Sequence, residues 1–117
     1  SLFSSTCTKG DCMQTQFDSV SVVTTANIYF EGKVVSHTVL FPNGSKKTLG
    51  IIYPGEFRFT TAAPEKMEII QGVCRAKLPG ESTWKSYPAG TFFAVAGNSA
   101  FDIAVDSALA QYICSFE

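Results

Sequence analysis

From Lys33 onward the chain is a succession of short runs in which apolar residues recur at every second position or continuously, each closed by turn residues. The runs read KVVSHTVLF, KKTLGIIY, EFRFT, KMEII, VCRAKL, STWKSY, TFFAV, AFDIAV and AQYICSF. Pro42-Asn43-Gly44, Pro54-Gly55, Pro79-Gly80, Pro88-Ala89-Gly90 and Gly97-Asn98 punctuate them with residues that fix φ or tolerate positive φ. EFRFT and FDIAV alternate as half-buried strands do, whereas TFFAV and YICSF are apolar at nearly every position and predict cover on both faces. Upstream, VSVV in the segment 18–31 reads as an edge strand and ANIYFEG as a short turn before the first long strand. Helical periodicity of any length is absent, so the pattern predicts an all-β domain, either a closed barrel or two packed layers.

Length and composition narrow this picture. A chain of 117 residues suits one domain, and a 45% hydrophobic content with ten phenylalanines predicts an aromatic core. The domain is expected over residues 27–117, with 1–26 as an N-terminal extension, appended in part or loosely held, in which the Ser/Thr-rich residues 1–12 precede a serviceable start at Met13. A net charge of -1 and a pI near 5.8 provide no basic stripe, which argues against a nucleic-acid polymer or an anionic membrane as partner. The opening SLFSSTCTKGD carries neither a basic n-region nor an apolar h-region, and no apolar run has spanning length, so a cytoplasmic location is expected. Cys7, Cys12, Cys74 and Cys114 lack the spacing of a zinc site and are expected to be idle or buried thiols.

Candidate chemistry concentrates in GEFRFTTAAPEKMEIIQG, residues 55–72. Metal-binding cupins carry G-x5-H-x-H-x(3,4)-E-x6-G followed by G-x5-P-x-G-x2-H-x3-N, whose three His and one Glu converge inside a jelly-roll barrel. On this chain Glu65 and Gly72 match the Glu and second Gly of the first stretch, and Arg58 and Thr60 fall where its two His belong. Pro88, Gly90 and Phe93 match the second stretch, with Phe93 in the place of its His. Ile52, Ser82 and Gly97 depart from the remaining Gly, Gly and Asn positions. The resemblance is to a cupin whose metal ligands have been replaced, and it implies a single cupin-like jelly-roll β-barrel with no metal.

Longer stretches extend the likeness. YFEGKV (29–34), PGEFRFTTAAPEKMEIIQG (54–72), LPGESTW (78–84), AGTFFAVAGNSAFDIAV (89–105) and YIC (112–114) together resemble the broad-specificity pyrimidine/purine nucleoside phosphorylases, over about residues 27–117. The resemblance implies phosphorolysis of purine and pyrimidine nucleosides to free base and pentose 1-phosphate. Its partners would be nucleoside and inorganic phosphate, the latter a co-substrate, with no other cofactor.

Breaking an N-glycosidic bond builds positive charge on the sugar, so a site for it needs nearby negative charge and a firmly held phosphate. Glu65 is the catalytic candidate, bonding ribose hydroxyls or stabilising the developing oxocarbenium ion. Arg58 offers a planar fork to phosphate and Thr60 a secondary hydroxyl donor. Phe93 would present an apolar wall on which a base stacks, though equally at home in a core, and Met67 and Phe101 are further lining candidates, each better suited to a core. Two patterns conflict at 57–60: alternation buries Phe57 and Phe59 and exposes Arg58 and Thr60, while the cupin alignment turns Arg58 and Thr60 inward. Both hold only if a second subunit covers Phe57 and Phe59, which predicts a homodimer. His37 reads as a surface or satisfied histidine, and no Gly-rich phosphate loop, nucleophile elbow or Cys–His pair is visible. The alternative from a different class is a non-catalytic cupin that binds a sugar or nucleoside.

Overall fold

A computed structural model describes residues 15–116; the leader with Cys7, Cys12 and Met13 lies outside the described residues. Eleven strands account for the architecture: β1 Ser21–Val22, β2 Asn27–Tyr29, β3 Val34–Leu40, β4 Lys46–Ile52, β5 Gly55–Thr60, β6 Glu65–Gln71, β7 Val73–Lys77, β8 Lys85–Pro88, β9 Phe92–Val95, β10 Ala100–Val105 and β11 Ala110–Phe116. Each apolar run of the sequence became one strand. VSVV supplies the edge strand β1, and ANIYFEG supplies both β2 and a 3-10 turn over Phe30–Gly32.

The strands form two antiparallel sheets. The larger has the order β1-β3-β4-β11-β6-β9, with β2 also paired to β3, and the smaller the order β5-β10-β7-β8. Their facing sides share one core, in which Val34, Ile52, Met67, Ile69 and Phe93 of the larger sheet meet Ala76, Tyr87, Phe101 and Ile103 of the smaller. Aromatic rings bridge the layers: Phe93 lies 5.5 Å from Phe101 and 4.7 Å from Tyr87, centroid to centroid. This all-β, cupin-like arrangement follows from the alternation, because one face of every strand must leave water and only a second sheet can cover it.

The crossing between sheets is abrupt. Only Gly72 separates β6 from β7, and it holds φ at +80° with its Cα so close to the Leu109 carbonyl that a Cβ would overlap it. Glycine alone meets both demands. The double cover expected of YICSF is present, since Tyr112, Ile113 and Cys114 are all buried in the central strand β11. The double cover expected of TFFAV is not. β9 is the sheet's edge, Phe93 and Val95 point inward, and Phe92 is 56% exposed with the Lys66 ammonium 4.7 Å from its ring.

The conflict over residues 57–60 is resolved by register. β5 pairs with β10 so that Phe59 opposes Phe101 and Phe57 opposes Ile103, both fully buried, and the two phenylalanines pack against the core. Phe30 completes their cover, at 4.9 Å from the Phe57 ring and 5.9 Å from that of Phe59. The chain itself therefore shields Phe57 and Phe59, and these two rings give no argument for a second subunit.

Candidate functional site

The inward face of the larger sheet is a lattice set by its registers. Thr38, Thr48, Cys114, Met67 and Phe93 form one row across β3, β4, β11, β6 and β9. Ser36, Gly50, Tyr112 and Ile69 form the row on one side of it, and Phe116, Glu65 and Val95 belong to the row on the other. Toward β9 the lattice is apolar and filled by the core. Toward β3 and β4 it is hydroxyls, a thiol and a glycine, where the two sheets enclose a cavity of about 250 Å³. That volume lies just below the range of roughly 300–1,000 Å³ usual for small-molecule sites.

Ser36, Thr48, Glu65, Met67, Tyr112, Cys114 and Phe116 line the cavity from the larger sheet, and Arg58, Phe59 and Thr60 from the edge strand β5 of the smaller. Tyr29 and Phe30 close it at the mouth. The turn that carries Phe30 is strained: Phe30 and Glu31, neither a glycine, hold φ at +53° and +58°. Left-handed conformations cost such residues about 1–3 kcal/mol each and concentrate at ligand sites. Here they lay the Phe30 ring over Phe57 and Phe59 at the rim.

Gly50 sets the depth of the cavity. It stands opposite Tyr112, whose phenol lies where a Gly50 Cβ would be, so the ring rests flat across β4. The Tyr112 hydroxyl lies toward Ser36, itself only 3% exposed, and burial pushes the phenol far above its ordinary titration range.

Glu65 opens β6 and is partly buried. It is positioned by the corner before it, where Thr61, 7% exposed, ties the turn 61–64 to the 96–99 loop. The Thr61 hydroxyl donates to the Ala96 carbonyl at 2.7 Å and accepts from the Ser99 amide at 3.0 Å, while the Asn98 amide donates to the Ala62 carbonyl at 3.0 Å. Within the cavity the Cys114 thiol donates to Glu65 Oε1 at 3.5 Å. Desolvation raises the Glu65 carboxyl above its ordinary value, the thiol contact opposing this only in part. Cys114 is raised more strongly, by burial first and by the Glu65 charge second, so it serves as a neutral donor.

Four of the residues singled out in the sequence, Arg58, Thr60, Glu65 and Met67, border this one cavity. Arg58 stands at its edge on the outward side of β5, its side chain 66% exposed and paired with Asp102 at 3.2 Å. Phe93 and Phe101 do not reach the cavity; they are 4% and 1% exposed, in the core beneath it, and Phe101 touches the rim only through Phe59, 5.3 Å away. His37 faces away from the cavity, its Nδ1 3.2 Å from the Val23 carbonyl. Ser36, Thr48, Tyr112, Cys114 and Phe30 were not foreseen as lining residues. The one available signal was inverted alternation, since SHTVL and KKTLGII place hydroxyls and glycine on the face whose flanking residues, Val34 and Ile52, are core.

A metal, usual in cupins, does not suit this donor set. Glu65 and Cys114 are adjacent, but the described residues hold no group of three His, Cys, Asp or Glu side chains able to surround an ion.

The sequence model of the pyrimidine/purine nucleoside phosphorylase family matches residues 24–116. Proteins named pyrimidine/purine nucleoside phosphorylase are similar to the chain at 58% identity in Methylobacillus flagellatus, covering 87% of this chain and 98% of that protein, and at 59% in Burkholderia vietnamiensis, covering 87% and 95%. Among solved structures, a protein of unknown function from Acinetobacter sp. ADP1 superposes with a TM-score of 0.84 at 45% identity, over 87% of this chain and 98% of that one. A second, from Vibrio parahaemolyticus, gives 0.75 at 35% identity, over 83% and 99%. The cupin domain of a transcriptional regulator from Enterobacter cloacae, at 18% identity and a TM-score of 0.56 over 73% and 98%, shares the fold alone.

Proposed function

The chain belongs to the pyrimidine/purine nucleoside phosphorylase family, and we propose that its cavity binds a purine or pyrimidine nucleoside beside inorganic phosphate and converts them to free base and pentose 1-phosphate. The observation that carries this reading is the partly buried Glu65 carboxylate in a cavity whose other walls are mostly aromatic rings, a thioether, a thiol and hydroxyls, with the Arg58 guanidinium at the edge. An anion set among low-dielectric walls acts strongly on positive charge that develops next to it, and this reaction develops such charge at the anomeric carbon.

In this reading the C1′–N bond breaks with its electron pair leaving on the base. A phosphate oxygen forms the new C1′–O bond, and a proton from solvent or phosphate completes the free base. Glu65 accepts hydrogen bonds from the ribose hydroxyls and stabilises the oxocarbenium-like sugar, while the neutral Cys114 thiol fixes one of its oxygens. Phe30, Phe59, Met67 and Phe116 offer apolar surface to the base, and contact of that kind tolerates any ring, in keeping with broad substrate choice. Thr60 donates to sugar or phosphate, and Arg58 guides the anion at the mouth. Phe93 and Phe101 support the rim through Phe59 without touching substrate. Glycosyl transfer here is metal-independent, with phosphate as co-substrate and no resident cofactor.

The proposed setting is a cytoplasmic homodimer that engages neither membrane nor nucleic acid. Cys74 and Cys114 are free thiols, as a reducing compartment favours. The outer face of the larger sheet leaves Ile28 65% and Leu49 37% exposed beside Val35 and Ile51, an apolar surface that a second copy would cover. Light scattering at the monomer mass, or export of the protein on cell fractionation, would refute this setting.

The activity is tested by chromatography of uridine, adenosine and inosine incubated with the protein, with and without phosphate. Phosphate-dependent release of base with an equal yield of pentose 1-phosphate is expected. Release that ignores phosphate, or nucleoside binding without turnover, would overturn the reading and favour a hydrolase or a non-catalytic binding cupin respectively.

A further inference from the structure

The phosphate that this reaction consumes needs a cation, and Arg58 is poorly placed to be the only one. Its guanidinium lies on the outward side of β5, where Nε meets Asp102 Oδ1 at 3.2 Å and Nη2 meets Oδ2 at 3.3 Å. A carboxylate already occupies its fork, and phosphate would have to displace it.

Among the described residues Lys46 has no such competitor. The first residue of β4, it shares the inward parity of Thr48, which lines the cavity, and of Gly50. The β4–β11 register, which pairs Lys47 with Ser115, brings Lys46 abreast of Phe116, and Phe116 in turn pairs with Glu65 on β6. Lys46, Phe116 and Glu65 therefore form a single row on one face of three adjacent strands. Two interstrand steps separate the backbones of Lys46 and Glu65 by about 10 Å. The Lys46 ammonium is drawn in over the ring between them, 5.1 Å from its centroid, and Phe116 lines the cavity. Among the described residues Lys46 forms no salt bridge, and its side chain is exposed. The neighbouring Lys47 shows the contrast: it points to the other face and donates to Ser115 Oγ at 2.8 Å.

Building on the phosphorolysis reading, we propose that Lys46 is the phosphate-binding cation of this site, holding the anion over Phe116 on the side of the cavity opposite Glu65. The row then separates the two charges the reaction needs. Glu65 faces the sugar, Lys46 faces the nucleophile, and the phenyl ring between them keeps the ammonium from closing onto the carboxylate and quenching both. A cation–π contact of this sort is weak when exposed, so an arriving phosphate can draw the ammonium off the ring at little cost.

The test is steady-state kinetics with phosphate and nucleoside varied separately, together with phosphate binding to the protein alone by calorimetry. Lys46→Ala should raise the KM for phosphate by about tenfold or more, the loss of one charge-assisted hydrogen bond, and leave the KM for nucleoside within about twofold. Lys46→Arg should recover most of the phosphate affinity. Lys47→Ala, which removes the same charge one residue away, should leave phosphate KM unchanged. Equal effects of Lys46→Ala and Lys47→Ala, or a Lys46→Ala variant whose phosphate KM and phosphate binding match the wild type, would overturn the assignment. Failure of the underlying reading looks different: the wild-type protein itself would neither bind phosphate nor need it for base release.

Discussion

Gly50 lies in a regular stretch of β4 without a positive φ, so alanine would ordinarily be welcome there, by about 0.5–1 kcal/mol. The tertiary structure reverses that expectation. A Cβ at position 50 would occupy the space of the Tyr112 ring, which is 4% exposed. The ring must then swing off β4 toward the cavity of about 250 Å³ that it lines. Overpacking of this kind costs about 1–3 kcal/mol, against which the strand preference for alanine returns about 0.5–1 kcal/mol. Gly50→Ala is therefore expected to destabilise the fold by roughly 1 kcal/mol and, by filling the cavity with the displaced phenol, to raise the KM for nucleoside about tenfold or more. Urea denaturation and initial rates measure the two effects. The decisive comparison is Gly50→Ala in a Tyr112→Ala background, where no ring remains to collide and the substitution should be neutral or slightly stabilising. If Gly50→Ala costs the same with and without the ring, or costs nothing in the wild type, the packing described for the cavity floor is refuted.

Two further outcomes follow from the same geometry. Burial raises Glu65 above its ordinary value of 4.5, so the folded protein binds that proton more tightly than the unfolded chain does. That stabilising contribution is full below about pH 4.5 and is lost as pH rises through the raised value, whereas the ionised form is the one that assists the sugar. Glu65→Gln should accordingly lower kcat/KM about 10²-fold or more, remove the acidic limb of the pH–rate profile, and abolish the loss of stability expected of the wild type above about pH 4.5; denaturation curves with the same pH dependence in both proteins would contradict this. Thr61→Val keeps the shape of the corner but leaves the Ser99 amide and the Ala96 carbonyl without their partner, at a cost of about 1–3 kcal/mol, and should lower turnover by loosening the chain that leads into Glu65. Denaturation midpoints and rates equal to the wild type would show that the corner is held by other means.

The sequence by itself determined the strands, because alternation and turn chemistry are local. Phe57 and Phe59 alternate with Arg58 and Thr60, and β5 forms with those phenylalanines inward. It also drew attention to Glu65, since a carboxylate immediately after Pro64, at the corner ahead of β6, is visible in one dimension. Only the tertiary structure decided what surrounds that carboxylate. The thiol of Cys114, the phenol of Tyr112 and the hydroxyls of Ser36 and Thr48 reach the site through pairings that bring strands distant from Glu65 in sequence beside it. Ser36 and Thr48 carry only the inverted alternation of their strands as a local mark, and nothing in the neighbourhoods of Tyr112 and Cys114 marks them. Period-two patterning says that a strand has two faces, but the choice of which one turns inward depends on register, and register is a property of the assembled sheet. For the same reason Phe93 and Phe101, aromatic in the right places for a stacking wall, lie in the core, while Phe30, in what reads as a turn, is bent over the mouth of the cavity by a strained backbone that packing must sustain.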